Sequence, residues 1–304
     1  MSGLPPIARS KEPVNLSRRR FLTLAPAAGV TLALAAEAFV REPNEVSVTR
    51  RVVRKRSASG DVPITIAHLS DLHLSEIGTR ERRVAELMAQ SPPSILLITG
   101  DSVDREGTLD LLDAFLGQLD PRLPKFAVLG NWEYFARVDV SALRDTYERH
   151  NCRLLVNESA RERIGGSELL VTGLDDWLAG KPDVQAALGT ISAHPNHVLL
   201  AHCPVQRDLL VAEDRPGTGP GKPLAETPVP QLVLSGHTQG GQVNLLGWCP
   251  WRPKGSGPYV SGWYPGVEAP DLYDSRGLGT VDIPVRLGAP PELAFLEWHA
   301  SVAV

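Results

Sequence analysis

Five short apolar runs in this chain end in side chains that can bind a cation, and this pattern constrains the fold more than any other feature. The runs at 64–67, 94–99 and 126–129 lead into Asp71-Leu72-His73, Gly100-Asp101 and Gly130-Asn131. Two later runs, 197–201 and 231–234, lead into His202 and Gly236-His237. Helical periodicity fills the gaps, at 80–90 with Val84, Leu87 and Met88 on one side, at 109–119 and at 140–150. Strand, helix and strand at this spacing predict βαβ units with buried parallel strands. Ligands of open α/β sheets bind beyond the carboxyl ends of the strands, so the five polar sets are expected to converge. Asp71 and His73 are two residues apart and leave an extended segment on the same face. Gly100 and Gly130 let the backbone turn sharply enough to aim the next side chain into the cleft.

Taken singly, these residues have bland readings: Asp101 as a helix cap, Asn131 as a turn residue, His202 or His237 as a core imidazole. Five such sets at successive strand ends outweigh them. The donors Asp71, His73, Asp101, Asn131, His202 and His237 suit a pair of borderline divalent ions, Mn, Fe or Zn. Three imidazoles disfavour Mg or Ca, and the three cysteines include no Cys-x-x-Cys pair to form a thiolate site. Two ions ~3.5–4 Å apart can activate water and stabilise both the attacking and the leaving oxygen, which is the chemistry of phosphoester hydrolysis.

Read together, Asp71-Leu72-His73, Gly100-Asp101, Gly130-Asn131-Trp132-Glu133, His202 and Gly236-His237-Thr238-Gln239 resemble the motifs of the calcineurin-like metallophosphoesterases. The similarity spans roughly 61–300. Ser235 to Gln242, Ser275-Arg276-Gly277-Leu278-Gly279 and Pro284-Val285-Arg286-Leu287 also look like a bacterial single-domain branch with twin-arginine or anchor leaders. The resemblance implies an α/β fold: a two-sheet mixed β-sandwich flanked by helices, one domain over 61–304. It implies that Asp71, His73 and Asp101 hold one metal, and that Asp101 bridges to a second held by Asn131, His202 and His237. Asp101, Asn131 and His202 would be the catalytic core, with a hydroxide between the ions attacking phosphorus. Two positions depart from the family. Gln239 stands where a second His ligates the first metal, and an amide carbonyl is a weaker donor that favours a harder ion such as Mn. Trp132 stands where the family has the His that protonates the leaving group. An indole cannot shuttle that proton, and losing a positioned acid typically costs ~10²–10⁴-fold. Glu133 is read as pointing elsewhere rather than replacing it. An alternative therefore stays open: a catalytically weak relative that binds metal and a phosphorylated envelope ligand without efficient turnover.

The charge of this chain is uneven. Residues 1–60 hold 11 Lys/Arg against 4 Asp/Glu, and the rest hold 20 against 31. So acidic a body is a poor match for nucleic acid. Ser17-Arg18-Arg19-Arg20 followed by an apolar run over 21–36 and Ala36-Glu37-Ala38 reads as a twin-arginine signal peptide or membrane anchor over 1–38. Residues 39–60 read as a basic leader, with an edge strand within 46–53. The expected location is the periplasm or the outer face of the cytoplasmic membrane. Expected partners are a small-molecule or lipid-linked phosphoester substrate and the twin-arginine export machinery, with a membrane surface as a further contact, for a monomeric chain. Residues 248–264 hold Trp248, Trp251, Tyr259, Trp263 and Tyr264, either a substrate-facing wall or packing beneath loops. Arg276 is read as a salt-bridge partner rather than a phosphate contact, and 214–230 as an exposed loop. Cys203 and Cys249 lie near the expected site loops, with no bridge required. His150, His194, His197 and His299 are read as surface or structural.

Overall fold

The computed structural model describes residues 31–54, 62–210, 228–267 and 269–301. The paired arginines of the leader and the 214–227 part of the expected loop lie outside them. Among the described residues twelve strands form two sheets: β1 (Ser47–Arg54), β2 (Val62–Leu69), β3 (Ile95–Thr99), β4 (Lys125–Val128), β5 (Cys152–Leu154), β6 (Glu158–Ile164), β7 (Ser167–Gly173), β8 (His197–Leu200), β9 (Leu232–Ser235), β10 (Gly262–Tyr264), β11 (Asp271–Asp274) and β12 (Glu292–Ala300). The first sheet runs β1-β12-β2-β3-β4-β5 and the second β10-β11-β9-β8-β7-β6. In the first, β2 to β5 are parallel and β12 is antiparallel to β2; in the second, β11, β9, β8 and β7 are parallel, with β10 and β6 antiparallel at the edges. Both sheets are mixed, as the resemblance implies.

The continuous apolar runs exist because both faces of the central strands are covered. Alternate residues go to opposite layers. Ile64, Ile66, Ile95 and Leu97 meet Val198, Leu200, Leu232 and Leu234 between the sheets. Their neighbours Ala67, Leu69, Leu96 and Ile98 pack outward on Val84 and Met88 of α1 (Thr79–Gln90) and Leu112 and Phe115 of α2 (Leu109–Leu116). The second sheet is covered on its outer face, where Leu199, Val233 and Leu272 pack with Val184, Ala187 and Leu188. Shorter helices also follow: α3 (Asn131–Phe135), α4 (Val140–Glu148) and α5 (Val184–Leu188).

The edge strand expected near 46–53 is β1, which pairs parallel with β12 and so joins the basic segment to the sandwich. The polar edge strand β6, Glu-Ser-Ala-Arg-Glu-Arg-Ile, carries no apolar alternation that sequence reading detects; only Ala160 is buried in it. No helix among the described residues is long and apolar enough to cross a membrane.

Candidate metal centre

Each parallel strand delivers its polar residue to the same end of the sandwich. Asp71 and His73 follow β2, Asp101 follows β3, Asn131 opens α3 after β4, His202 follows β8, and His237 and Gln239 follow β9. All seven are buried. Five of them are held at positive φ: Asp71 at 50°, His73 at 42°, Asp101 at 52°, His237 at 70° and Gln239 at 49°. Non-glycine residues held in such regions each cost about 1–3 kcal/mol and persist where the surroundings over-determine them, typically at functional sites. The loops also approach each other too closely for ordinary side chains. A Cβ on Gly130 would lie 2.1 Å from Asp101 Oδ1, and one on Gly236 would lie 1.8 Å from Ser70 Oγ.

The donors fall into two overlapping groups, Asp71, His73 and Asp101 in one and Asp101, His202 and His237 in the other, with ligand atoms within 4.8 Å of one another in each. Asp101 belongs to both. Its Oδ1 accepts from the Trp132 backbone N–H at 2.8 Å, which leaves Oδ2 3.1 Å from His202 Nε2 and 3.7 Å from His73 Nε2. Asn131 Oδ1 lies 3.2 Å from His202 Nε2, so it joins the second group. Gln239 joins the first: its amide nitrogen is 2.9 Å from His73 Nε2, and its buried Oε1 has no hydrogen-bond partner among the described residues.

The proton inventory of the three imidazoles fits a cation. His73 Nδ1 faces Asp104 Oδ1 at 2.5 Å, His202 Nδ1 faces the Thr99 carbonyl at 2.7 Å, and His237 Nε2 faces the Lys254 carbonyl at 2.6 Å. With each ring N–H donated outward, the other nitrogen turns a lone pair inward. His202 Nε2 and His237 Nδ1 then oppose each other at 3.2 Å, beside Asp101 and Asn131 oxygens. Acceptors this close with no hydrogen between them call for positive charge. The carboxylates make the same demand: with no cation bound they favour a second proton on His73 and His202, while burial and the charge of His202 lower His237. Burial alone would lower His73, but its bond to Asp104 and the nearby carboxylates of Asp71 and Asp101 hold it up to about 10. Burial also opposes charge on His202, yet Asp101 and Asp71 keep it well above the usual imidazole value. The orphaned Gln239 oxygen, the inward lone pairs and the shared Asp101 carboxylate all match the donor chemistry of divalent metal binding.

Two supporting residues escape a reading of the sequence. Asp104 orients His73, and its only signal is a carboxylate three residues after Asp101. Glu133 points away from the cleft, as expected, and its carboxylate accepts from the backbone N–H groups of Gly130 at 2.8 Å, Asp101 at 3.1 Å and Ser102 at 2.6 Å. It thereby ties the loops after β3 and β4 together. Burial and the neighbouring Asp101 push Glu133 up to about 7.

A cavity of about 190 Å³ opens over the donors, lined by Asp101, Asn131, His237 and Gln239 at its base and by Trp132, Phe135 and Trp251 on its sides. The aromatic segment thus divides. Trp251 faces the cavity, whereas Tyr259 is buried and donates to Asp208 at 2.7 Å beneath the loops. Arg276 pairs with Glu292 at 3.1 Å. Cys203 and Cys249 are free thiols, and Cys152 is buried in the core. His150, His194, His197 and His299 are engaged away from the site, His197 on Thr172 within the sheet.

A helix-flanked two-sheet α/β sandwich with metal-ligand side chains at its strand ends defines a class of hydrolytic domain. Residues 64–241 match the calcineurin-like phosphoesterase family, and the chain belongs to it; it is a phosphoester hydrolase of this metal-dependent family. It is 29% identical over 298 residues to the uncharacterized metallophosphoesterase YkuE of Bacillus subtilis, covering 92% of this chain and 96% of that protein. It is 30% identical over 248 residues to an uncharacterized metallophosphoesterase of Aquifex aeolicus, covering 77% of this chain and 84% of that one. Among solved structures it is similar to a 5'-nucleotidase precursor from Thermus thermophilus, with a TM-score of 0.44, 16% identity and coverage of 79% of this chain; it spans 55% of that longer chain.

Proposed function

We propose that the chain is an exported, dinuclear phosphoesterase that works best on esters whose leaving group needs no proton. The observation that carries this reading is the Asp101 carboxylate, shared between two ligand groups. Asp71, His73, Asp101 and Gln239 would hold one divalent ion, and Asp101, Asn131, His202 and His237 the other. Such ions, when bound, activate water and neutralise charge that develops on the phosphoryl oxygens.

The residues of the chain do the rest. The Trp132 backbone N–H fixes Asp101, and the Thr99 carbonyl fixes the ring of His202. Asp101, Asn131, His237 and Gln239 form the base on which a phosphoryl group sits, and Trp132 and Trp251 flank it, offering apolar faces to the leaving group. Among the described residues outside the ligand set, Asp282 is the one ionisable side chain lining the cavity. None of them supplies an imidazole there to protonate a departing alkoxide. Gln239 in place of an imidazole favours Mn in the first position. The leader supports export by the twin-arginine route to the periplasm or the outer membrane face.

Purified protein reconstituted with Mn, Fe or Zn should hydrolyse p-nitrophenyl phosphate or bis-p-nitrophenyl phosphate, with two equivalents of metal by mass spectrometry. Trp132→His should extend activity to alkyl phosphoesters, by up to about 10²-fold. Metal uptake with no turnover above buffer would instead favour a binding protein for a phosphorylated envelope ligand.

A further inference from the structure

The loop after β9 breaks a local rule. Leu245 and Trp248 exchange backbone hydrogen bonds of 2.9 and 3.0 Å, closing a two-residue turn of Leu246 and Gly247. Both central residues have positive φ, 55° at Leu246 and 93° at Gly247. Turns of this kind favour Asn-Gly, because a branched apolar side chain gains nothing there to offset a left-handed backbone. Yet Leu246 is fully exposed at the tip, and Trp248 beside it is 63% exposed. A violation with no gain inside the fold points to a function outside it.

The tip belongs to a larger face. The Asn244 backbone N–H donates to the Leu287 carbonyl at 2.8 Å, and that of Arg286 donates to the Ala38 carbonyl at 2.9 Å. Glu42 accepts from the backbone of Gly288 at 3.0 Å and Ala289 at 2.7 Å. The hairpin, the 283–289 segment and the turn carrying Phe39 and Val40 therefore lie side by side. Phe39, Val40 and Ile283 are more than half exposed, as are Trp251 and Phe135 at the cavity mouth. Charge complements this apolar surface on the hairpin side, while around Phe39 and Val40 Glu37 and Glu45 pair with Arg41, and Asp282 is exposed beside Ile283. In a body whose net charge is strongly negative, no acidic residue falls between Glu226 and Glu268, and that stretch carries Arg252 and Lys254, both exposed. Trp and Leu at a tip followed by Arg252 and Lys254 is the composition of a segment that enters a lipid headgroup layer. The described end of the apolar run, 31–36, leads directly into this turn.

We infer that this face docks on an anionic phospholipid surface with Leu246 and Trp248 leading, so that the site opens toward the membrane and takes its phosphoester from there. The substrate half of this inference rests on the phosphoesterase reading; docking does not, and it can be measured without turnover.

The test uses the full chain with phosphatidylcholine vesicles, with and without phosphatidylglycerol, carrying brominated acyl chains. Because the leader alone can hold protein to vesicles, the readout is local: tryptophan quenching, together with vesicle affinity. Quenching is expected with the anionic vesicles and should fall by about half in Trp248→Phe. Leu246→Asn supplies the residue the turn prefers, so it should keep or raise the melting temperature while weakening vesicle affinity about tenfold. Its hydrolysis of soluble p-nitrophenyl phosphate should match the parent, which keeps a failure of docking separate from a failure of the phosphoesterase reading. Quenching unchanged by Trp248→Phe, or affinity unchanged by Leu246→Asn, would overturn docking. So would a vesicle-free dimer that Leu246→Asn dissociates, since the face would then belong to a second copy.

Discussion

After β2, β3 and β4 the first sheet offers Asp71, His73, Asp101 and Asn131, whereas after β8 and β9 the second offers His202, His237 and Gln239. Every carboxylate among these donors comes from the first sheet, and the second adds imidazole and amide only. The first group takes Asp71, His73 and Asp101 from one sheet and only Gln239 from the other, whereas the group of Asp101, His202 and His237 exists only when the two sheets pack. The contrast teaches where the site is vulnerable. One half depends on local loop geometry, and the other reports on the packing between the layers. A direct tie across them is the Asp71 carboxylate, which accepts from the His237 backbone N–H at 2.9 Å.

The largest effect is expected where the halves meet. Asp101→Ala should remove both metal equivalents and lower turnover by on the order of 10³-fold, about 4 kcal/mol of barrier. His237→Ala should cost one equivalent and spare the other. Retention of both by Asp101→Ala, measured by mass spectrometry, would undo the shared-ligand assignment. Next, Asp104→Asn should weaken metal at the first group by about 10–100-fold, because His73 loses the carboxylate that orients it; titration against a competing chelator reads this directly, and an equal loss at both groups would argue for general unfolding. Gln239→His should act in the opposite direction, strengthening the first group by about tenfold and shifting its preference from Mn toward Zn.

A further expectation concerns stability rather than the site, and it treats the two sheets alike. His68 in β2 and His197 in β8 are buried neutral imidazoles bonded to Thr99 and Thr172 at 2.9 and 2.8 Å. Burial lowers both from 6.5 to about 3. Their contribution is therefore fully present above pH 6.5 and is lost as pH falls toward 3, at about 1.4 kcal/mol per unit for each. Urea melts of metal-free protein between pH 7 and 4 should show this slope, and His197→Gln should reduce it. A slope that His197→Gln leaves intact would place the proton uptake elsewhere.

The ligand set was legible because each donor follows an apolar strand that is buried on both faces, a pattern that survives in sequence. Residues acting through backbone contacts were not legible. Glu133 sits in a recognisable motif, but its bonds to four N–H groups on two loops depend on how β3 and β4 are placed. Asp104 lacks any periodic signal. β6 was missed because an edge strand with one buried residue needs no apolar pattern, and β11 because Asp271–Asp274 is too short to show one. The aromatic segment could not be divided in advance, since Trp251 and Tyr259 differ only in which side of one loop they occupy.

The placement of β12 has a consequence for biosynthesis. It lies between β1 and β2, pairing with both, so among the described strands the first two are joined in the sheet only once β12 has been made. Until β12 is made, the margin of β2 that it covers stays bare. Newly made protein is thus expected to need a holding chaperone, and trimming the final strand should leave an insoluble product rather than a smaller, working one.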